Sequence, residues 1–492
     1  MKLQNIANLI NQKKFSEAKF GLIELENKKV KIINNVPHPE KNYENIYFTL
    51  SQVCTHLNEL KNSKEYLISH LKIKPNDCEA LFNLANLNLK TREIEDIEKI
   101  YIKILGIDKN HLPTIINLAY FYEGIGKINE SKKFYELAKK IEPNNLNFHY
   151  NLIRLSSNYL NNKIIVLIKK LLKEKKVLKN QEFLANFILS KKFDKEKDYL
   201  NEIKFLELAH KSFLKNNVNE KSHKYWSDIA PFFYKKIIIK GFKKDIFREI
   251  KPIFIVGLPR SGSTITELIL STSKTSKFVL GESNLFNYTL LKTYGEKLFN
   301  KEQKNNFEVD IGLLEEKLLL NLKNFNISAF DQSVFIDKSL ENFFYIDLII
   351  KIFPKAKFII TERNITDNII GIYKKILLDI PWAHSISEIL EYANHYKNII
   401  NFYQKKYKEN FFIIKLDEIQ SLNKKKVSDL FEFCGLDFNN KYFEFQKEDQ
   451  FVNNASNIQI RKGLFKNDNN KYKKYLYLLK SYEKDYPWIK YN

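Results

Sequence analysis

Two different hydrophobic rhythms divide the chain. Up to about residue 215 the apolar residues recur at helical spacing, as in "YIKIL" and "FYELAKKI". A longer period is laid over this spacing. "IKPND" (73–77), "IDKNH" (107–111) and "IEPNN" (141–145) return every 34 residues. Ile73, Ile107 and Ile141 share one register, and Asn76, Asn110 and Asn144 share another. Leu50, Leu84, Leu118 and Leu152 hold a third position, and the position after it is small in Ser51, Ala85 and Ala119. Each unit therefore reads as two helices closed by a Pro/Asn turn, close-packed where the small residue sits. Three units are clear over 44–145, a degenerate one is expected around "KKFSEAKFGLIEL", and one or two more up to about 215.

Residues 216–250 break this period and read as a connecting segment. Beyond them come short apolar runs separated by helical stretches: 253–257, 277–281, 334–337, 357–361 and 411–415. Alternating strands and helices predict a parallel sheet with covering helices. Strands buried on both faces read as unbroken apolar runs, as these do. The expected domains are 1–215 (helical repeats), 216–250 (connector) and 251–492 (α/β).

The first of these strands runs into "GLPRSGST" (257–264) and then a helix whose Ile265, Leu268, Ile269 and Thr272 share one face. Gly257 and Gly262 permit a tight turn with N–H groups pointing inward. A helix N-terminus adds partial positive charge, so a phosphate-type anion is expected there. A tight turn with nothing bound would explain the glycines but not an arginine and three hydroxyls crowded beside them. A nucleotide-hydrolysing loop needs lysine where Ser263 stands, and a carboxylate for magnesium. Only Asp337 in "VFIDK" stands out as a candidate for the latter, so nucleotide hydrolysis is disfavoured.

The helical half resembles the tetratricopeptide repeat in period and pattern. Segment 251–492 resembles the sulfotransferases that use 3′-phosphoadenylyl sulfate, most nearly protein-tyrosine sulfotransferases and the bacterial enzymes that carry such repeats. That resemblance implies an N-terminal all-α repeat solenoid followed by a P-loop-like three-layer α/β/α domain. Pro259 to Thr264 match the family's loop, so Arg260, Ser261, Gly262, Ser263 and Thr264 are implied to grip the 5′-phosphosulfate. Gly281-Glu282 match a Gly-Glu pair, which makes Glu282 the implied general base for a hydroxyl acceptor. Lys338 in "FIDKSLEN" is implied to stabilise charge on the leaving phosphate, with Arg260.

Arg363 matches the arginine that opens the 3′-phosphate segment, and Lys375, with Lys374 beside it, a later basic residue. Departures from the pattern are Gly371 for serine, Asn364 for aspartate and Leu416-Asp417 for a tyrosine pair. "NNASNIQIRKGLF" restores the match: Ser456 is implied to bind the donor and take part in catalysis. Gln459, Arg461 and Lys462 lie in the same loop, Lys471 follows, and Tyr472 replaces a common tryptophan. The implied activity is transfer of a sulfuryl group to a hydroxyl without a metal ion. Protein tyrosine is the suggested acceptor, and carbohydrate and lipid hydroxyls are alternatives. The repeats would bind an acceptor peptide, protein or glycan, or a partner, make a homodimer, or brace the second domain.

Composition changes little in this picture. The chain has 492 residues, 44% of them hydrophobic, which suits two or more globular domains. The net charge of +23 is a diffuse lysine excess, so nucleic-acid binding is not expected. Cys54, Cys78 and Cys434 form no metal spacing and are expected as reduced, mostly buried thiols; His384 and His395 read as surface or helix residues. No signal sequence or membrane span is apparent, so a cytoplasmic location is expected. Two rival readings are a kinase on an altered phosphate loop and an inactive, repeat-based interaction protein.

Overall fold

The computed structural model describes residues 3–33, 45–299, 307–328, 334–421, 423–438, 442 and 472–489. Its first half is helical and follows the 34-residue period. Helix pairs occupy Ile46–His56 and Leu60–Ile73, Cys78–Thr91 and Ile97–Ile107, and Leu112–Gly124 and Ile128–Ile141. The small register residues are fully enclosed, Ser51 at 2% exposure and Ala85 and Ala119 at 0%. A larger side chain there would push paired helices apart. The turns supply the helix starts: the Asp77 side chain accepts from the Glu79 and Ala80 N–H groups, and Asn145 from Asn147. The expected flanking units are present as Leu3–Asn11 with Phe15–Ile33, Leu146–Leu155 with Asn162–Lys173, and Glu182–Glu196 with Tyr199–Asn216.

Among its described residues the second half contains seven strands: β1 (Ile237–Lys240), β2 (Lys251–Gly257), β3 (Ser276–Gly281), β4 (Phe307–Asp310), β5 (Val334–Asp337), β6 (Lys357–Glu362) and β7 (Phe411–Lys415). Five of them form an all-parallel sheet in the order β3-β5-β2-β6-β7. All five apolar runs of the sequence are thus strands of one sheet. Ile253, Ile255, Ile336 and Ile359 join Leu268, Leu430 and Phe431 in one core cluster. Phe254 meets Phe358, Phe335 and Phe353 in a separate aromatic group. The expected connector holds a strand as well: β1 pairs in parallel with β4, Ile237 opposite Phe307. Three isoleucines flanked by lysines, with a distant partner, carry no local signal of pairing.

The chain divides into two compact units, residues 1–121 with 319–328, and 122–318 with 329–492. In the first unit Asn58 donates to Asn321 (2.7 Å), and the Leu60 N–H donates to Asn324 (3.0 Å). The second contains the sheet and the helices from Ile128–Ile141 to Leu285–Leu298. There Arg154 forms a two-pronged ion pair with buried Glu123, at 2.5 and 2.6 Å. Among the described residues no helix is long and apolar enough to cross a membrane. The three cysteines are free, Cys54 and Cys434 buried and Cys78 half-buried.

Candidate active site

β2 lies at the centre of the sheet, with β5 and β3 on one side and β6 and β7 on the other. The strand order therefore reverses beside β2, and its carboxyl end is where an open α/β sheet leaves a crevice. The candidate residues follow the carboxyl ends of four strands: Arg260 after β2, Glu282 after β3, Lys338 after β5 and Arg363 after β6. Residues 22 to 103 positions from the loop in sequence are thus aligned along one sheet edge.

The loop after β2 is shaped from below. A side chain at Gly257 would collide with Ser261 and with Thr361 of β6. Ser261 Oγ and Thr361 Oγ1 are 2.6 Å apart, and Asn368 donates to the Pro259 carbonyl at 3.1 Å. Ser261, only 1% exposed, therefore ties the loop to the sheet. Arg260 takes a left-handed φ of +72° and Gly262 one of +103°. A Cβ at Gly262 would stand 2.9 Å from Leu416 Cδ1, so Leu416 closes the underside of the loop. Gly262 caps the helix Ser263–Ser271, in whose first turn Ser263 and Thr264 are buried.

The loops after β3 and β5 are stitched together by Asp337. It accepts from Ser283, from the Ser339 N–H (2.8 Å) and from Asn342 (2.7 Å). Burial pushes its pKa up, against these hydrogen bonds. Both its oxygens are engaged by the protein, so its role is that of a structural hub and not of a magnesium ligand. Beside it, Lys338 is 1% exposed and its ammonium bonds Glu282 Oε1 at 2.5 Å, while Glu282 is 44% exposed. The pair joins a sealed cation to a carboxylate open to an incoming molecule.

On the other side of β2, Arg363 pairs with Asp367 at 3.3 Å, and its guanidinium lies 5.6 Å from the Tyr472 ring centre. Burial lowers the Arg260 pKa, the Tyr472 phenol works the other way, and the Arg363 guanidinium adds to the fall. Two neighbouring guanidinium groups, each just before a helix N-terminus, suit a multiply charged anion. Asn364 caps the helix Ile365–Tyr373 by accepting from Thr366 and Asp367. A Cβ at Gly371 would stand 3.6 Å from the Tyr472 hydroxyl and 3.9 Å from Arg260 Cβ. The helix thus packs directly against the loop, and Tyr472 brings a hydroxyl to the place where Gly371 lacks one.

Lys374 turns inward, to Glu202 (2.7 Å), Asp194 (3.3 Å) and the Tyr475 hydroxyl (2.5 Å). Lys375 is half-buried at the next position. Ser456, Gln459, Arg461, Lys462 and Lys471 lie outside the described residues. Of the surface or helix reading the helix holds for His384, which ends the 3-10 helix Pro381–His384, but it is 2% exposed and its Nδ1 meets His210 Nδ1 at 3.1 Å. Its partner is supplied 174 positions away, so no local pattern marks it. Asn368 and Thr361 carry no signal in the sequence, and Asp337 stands out there only as a possible magnesium ligand, since the partners of a buried polar residue are visible only once its neighbours are placed. Among the described residues no group of three or more His, Cys, Asp or Glu side chains could hold a metal ion.

Two segments of the chain match family models. Residues 252–440 match the model of the "Sulfotransferase family", and residues 112–145 match that of the tetratricopeptide repeat. An uncharacterized protein of Aquifex aeolicus (strain VF5) is 24% identical over 377 residues, which are 74% of this chain and 49% of that protein. The chain spans about half the length of that relative. Among solved structures, the sulfotransferase domain of the Synechococcus PCC 7002 olefin synthase is similar over 45% of this chain and 86% of that one. Its identity is 15% and its TM-score 0.32. The sulfotransferase STF1 of Mycobacterium tuberculosis H37Rv covers 57% and 91%, at 11% identity and a TM-score of 0.29. Both structural overlaps are too loose to place any residue.

Proposed function

We propose that this chain, which carries a sulfotransferase-family domain over residues 252–440 and a tetratricopeptide repeat over 112–145, transfers a sulfuryl group from 3′-phosphoadenylyl sulfate to a hydroxyl. The observation that carries this reading is the Glu282–Lys338 pair at the same sheet edge as Arg260 and Arg363. The donor supplies an activated S–O bond, which breaks as a new S–O bond to the acceptor forms. Glu282 takes the proton of the acceptor hydroxyl, whose oxygen is a poor nucleophile while protonated. The proton that reaches Glu282 weakens its hold on Lys338. That ammonium is then available to the charge growing on the leaving phosphate.

Arg260 and the first turn of the helix Ser263–Ser271 bind the phosphosulfate end of the donor. Arg363, with Tyr472 and Lys375, binds the far phosphate. Ser456, Arg461, Lys462 and Lys471 complete this grip in the proposal. Tyrosine in a protein is the favoured acceptor, on the strength of the family resemblance, and the repeats are the surface for it or for a partner. Incubating the protein with sulfur-labelled donor and a tyrosine peptide, a simple sugar and 2-naphthol tests both levels. Label on the peptide supports the full reading. Label on another hydroxyl corrects the acceptor, and no transfer to any of them counts against the activity.

A further inference from the structure

β3 and β5 run side by side with Gly281 opposite Asp337, so Glu282 and Lys338 leave the sheet as neighbours. Both are long side chains on loops, where strand pairing no longer fixes them. Hydrogen bonds between the two loops take over. The Lys338 N–H donates to the Gly281 carbonyl at 2.9 Å, and the Asn284 N–H donates to Ser339 Oγ at 2.8 Å. Between these, the Ser283 hydroxyl donates to Asp337 Oδ2. Asp337 Oδ1 accepts from the Ser339 N–H and from Asn342. Ser283 is next in sequence to Glu282, and Ser339 is next to Lys338. The Asp337 carboxylate thus holds the neighbour of each member of the ion pair. Asp337, Ser339 and Asn342 are all buried, so water does not compete for these bonds.

We propose that Asp337 is a positioning residue of the reaction centre: through Ser283 and Ser339 it fixes the separation of Glu282 and Lys338. The proposal rests on the sulfotransferase reading of the site. A base works only within hydrogen-bond reach of the proton it takes. A misplacement of about 1 Å costs about a hundredfold in rate. Glu282 and Lys338 hold each other, but that contact weakens once Glu282 takes a proton. Asp337 accepts the same bonds before and after the transfer, so it keeps base and cation in register through the step. Its own exposure is 1%, so it acts through its neighbours and not on the substrates.

Asp337→Ala would leave several buried donors unpaired and endanger folding. The test therefore uses the full chain with Ser283→Ala, which cuts only the tie to the Glu282 loop. At saturating donor, kcat should fall at least about tenfold, as the loss of one hydrogen bond to a carboxylate predicts. The Kd for 3′-phosphoadenosine 5′-phosphate should keep its wild-type value, since Arg260 and Arg363 are untouched. In a Glu282→Gln background the same change should lower kcat no further, because the base it places is gone. An unchanged kcat, a parallel loss of nucleotide affinity, or an equal loss in the Glu282→Gln background overturns the proposal. Lysine acylation by acetic anhydride, read peptide by peptide in a mass spectrometer, tests the geometry without turnover. Lys338 should react slowly in wild type and faster in Ser283→Ala, while buried Lys374 stays slow in both. That result supports the inference even where no acceptor is sulfated, so its failure and that of the proposed activity are told apart. Equal protection of Lys338 in both proteins, or exposure of Lys374 along with it, overturns the inference.

Discussion

Glu282 and Gly262 concentrate what single residues decide in this protein. Glu282 is half open to solvent, and in the proposed reaction its contact with Lys338 links proton removal to leaving-group stabilisation. Glu282→Gln keeps the shape and the donor-side contacts of the site. It should bind 3′-phosphoadenosine 5′-phosphate as wild type does and lose about 10²–10⁴-fold in kcat, read by labelled transfer and by calorimetry. Unchanged turnover removes Glu282 as the base. Gly262 is a backbone requirement. Its φ of +103° is strained for any side chain, and Leu416 leaves no room for one. Gly262→Ala should destabilise the fold by about 1–3 kcal/mol in urea titrations and weaken nucleotide binding as well.

At the scale of elements, the helix Ile365–Tyr373 is the hinge between chemistry and scaffold. Its first turn carries Asp367, the partner of Arg363, and its C-terminal end is anchored by side chains of the repeat helices. His210 meets the Tyr373 carbonyl at 2.8 Å, and Lys374 reaches Glu202, Asp194 and Tyr475. Removing the lysine alone leaves Glu202, which is 1% exposed, without its cation and with the Tyr475 hydroxyl still donating to it. Lys374→Ala should therefore cost about 3–5 kcal/mol of stability, measured by denaturant unfolding.

The histidines of the same joint give a pH dependence. Burial lowers His210 to about 4 and His384 to about 3, the latter also through His210. The unfolded chain therefore takes up protons first as pH falls below about 6.5, and stability drops from there toward pH 4. The slope is about 1.4 kcal/mol per pH unit for each histidine. A His210→Gln, His384→Gln double variant should show a smaller loss of melting temperature between pH 7 and 4.5 than wild type does.

For the whole molecule, the proposed function links donor binding to folding. A nucleotide held by loops after four strands stabilises the folded state only, by about 2.7 kcal/mol at a hundredfold excess over Kd. The melting temperature should rise by a few degrees with 3′-phosphoadenosine 5′-phosphate; no shift with either that product or the donor defeats the proposed function. The second compact unit begins at Tyr122, so its helices belong with the sheet. A fragment of residues 216–492 discards Asp194, Glu202 and His210 and exposes the faces they cover. It should be less soluble and bind nucleotide less tightly than a fragment of residues 122–492, compared by sedimentation and thermal shift.

Local pattern determined much of this protein. A 34-residue period with small residues in phase can be met only by paired helices. Five unbroken apolar runs can be buried only in a sheet covered on both faces. The turn "GLPRSGST" between strand and helix carries its anion preference in its own backbone. Even the alignment of Arg260, Glu282, Lys338 and Arg363 was readable, because each follows a strand and parallel strands end on one edge. Side-chain partnership across the sequence was not readable. Asp337 looks like a metal ligand until Ser283, Ser339 and Asn342 surround it, and His384 looks like a surface residue until His210 faces it. Lys374 and Lys375 are adjacent in sequence, yet only packing turned the first into a buried strut. Burial and neighbouring charge set what an ionisable group does, and both come from tertiary structure alone.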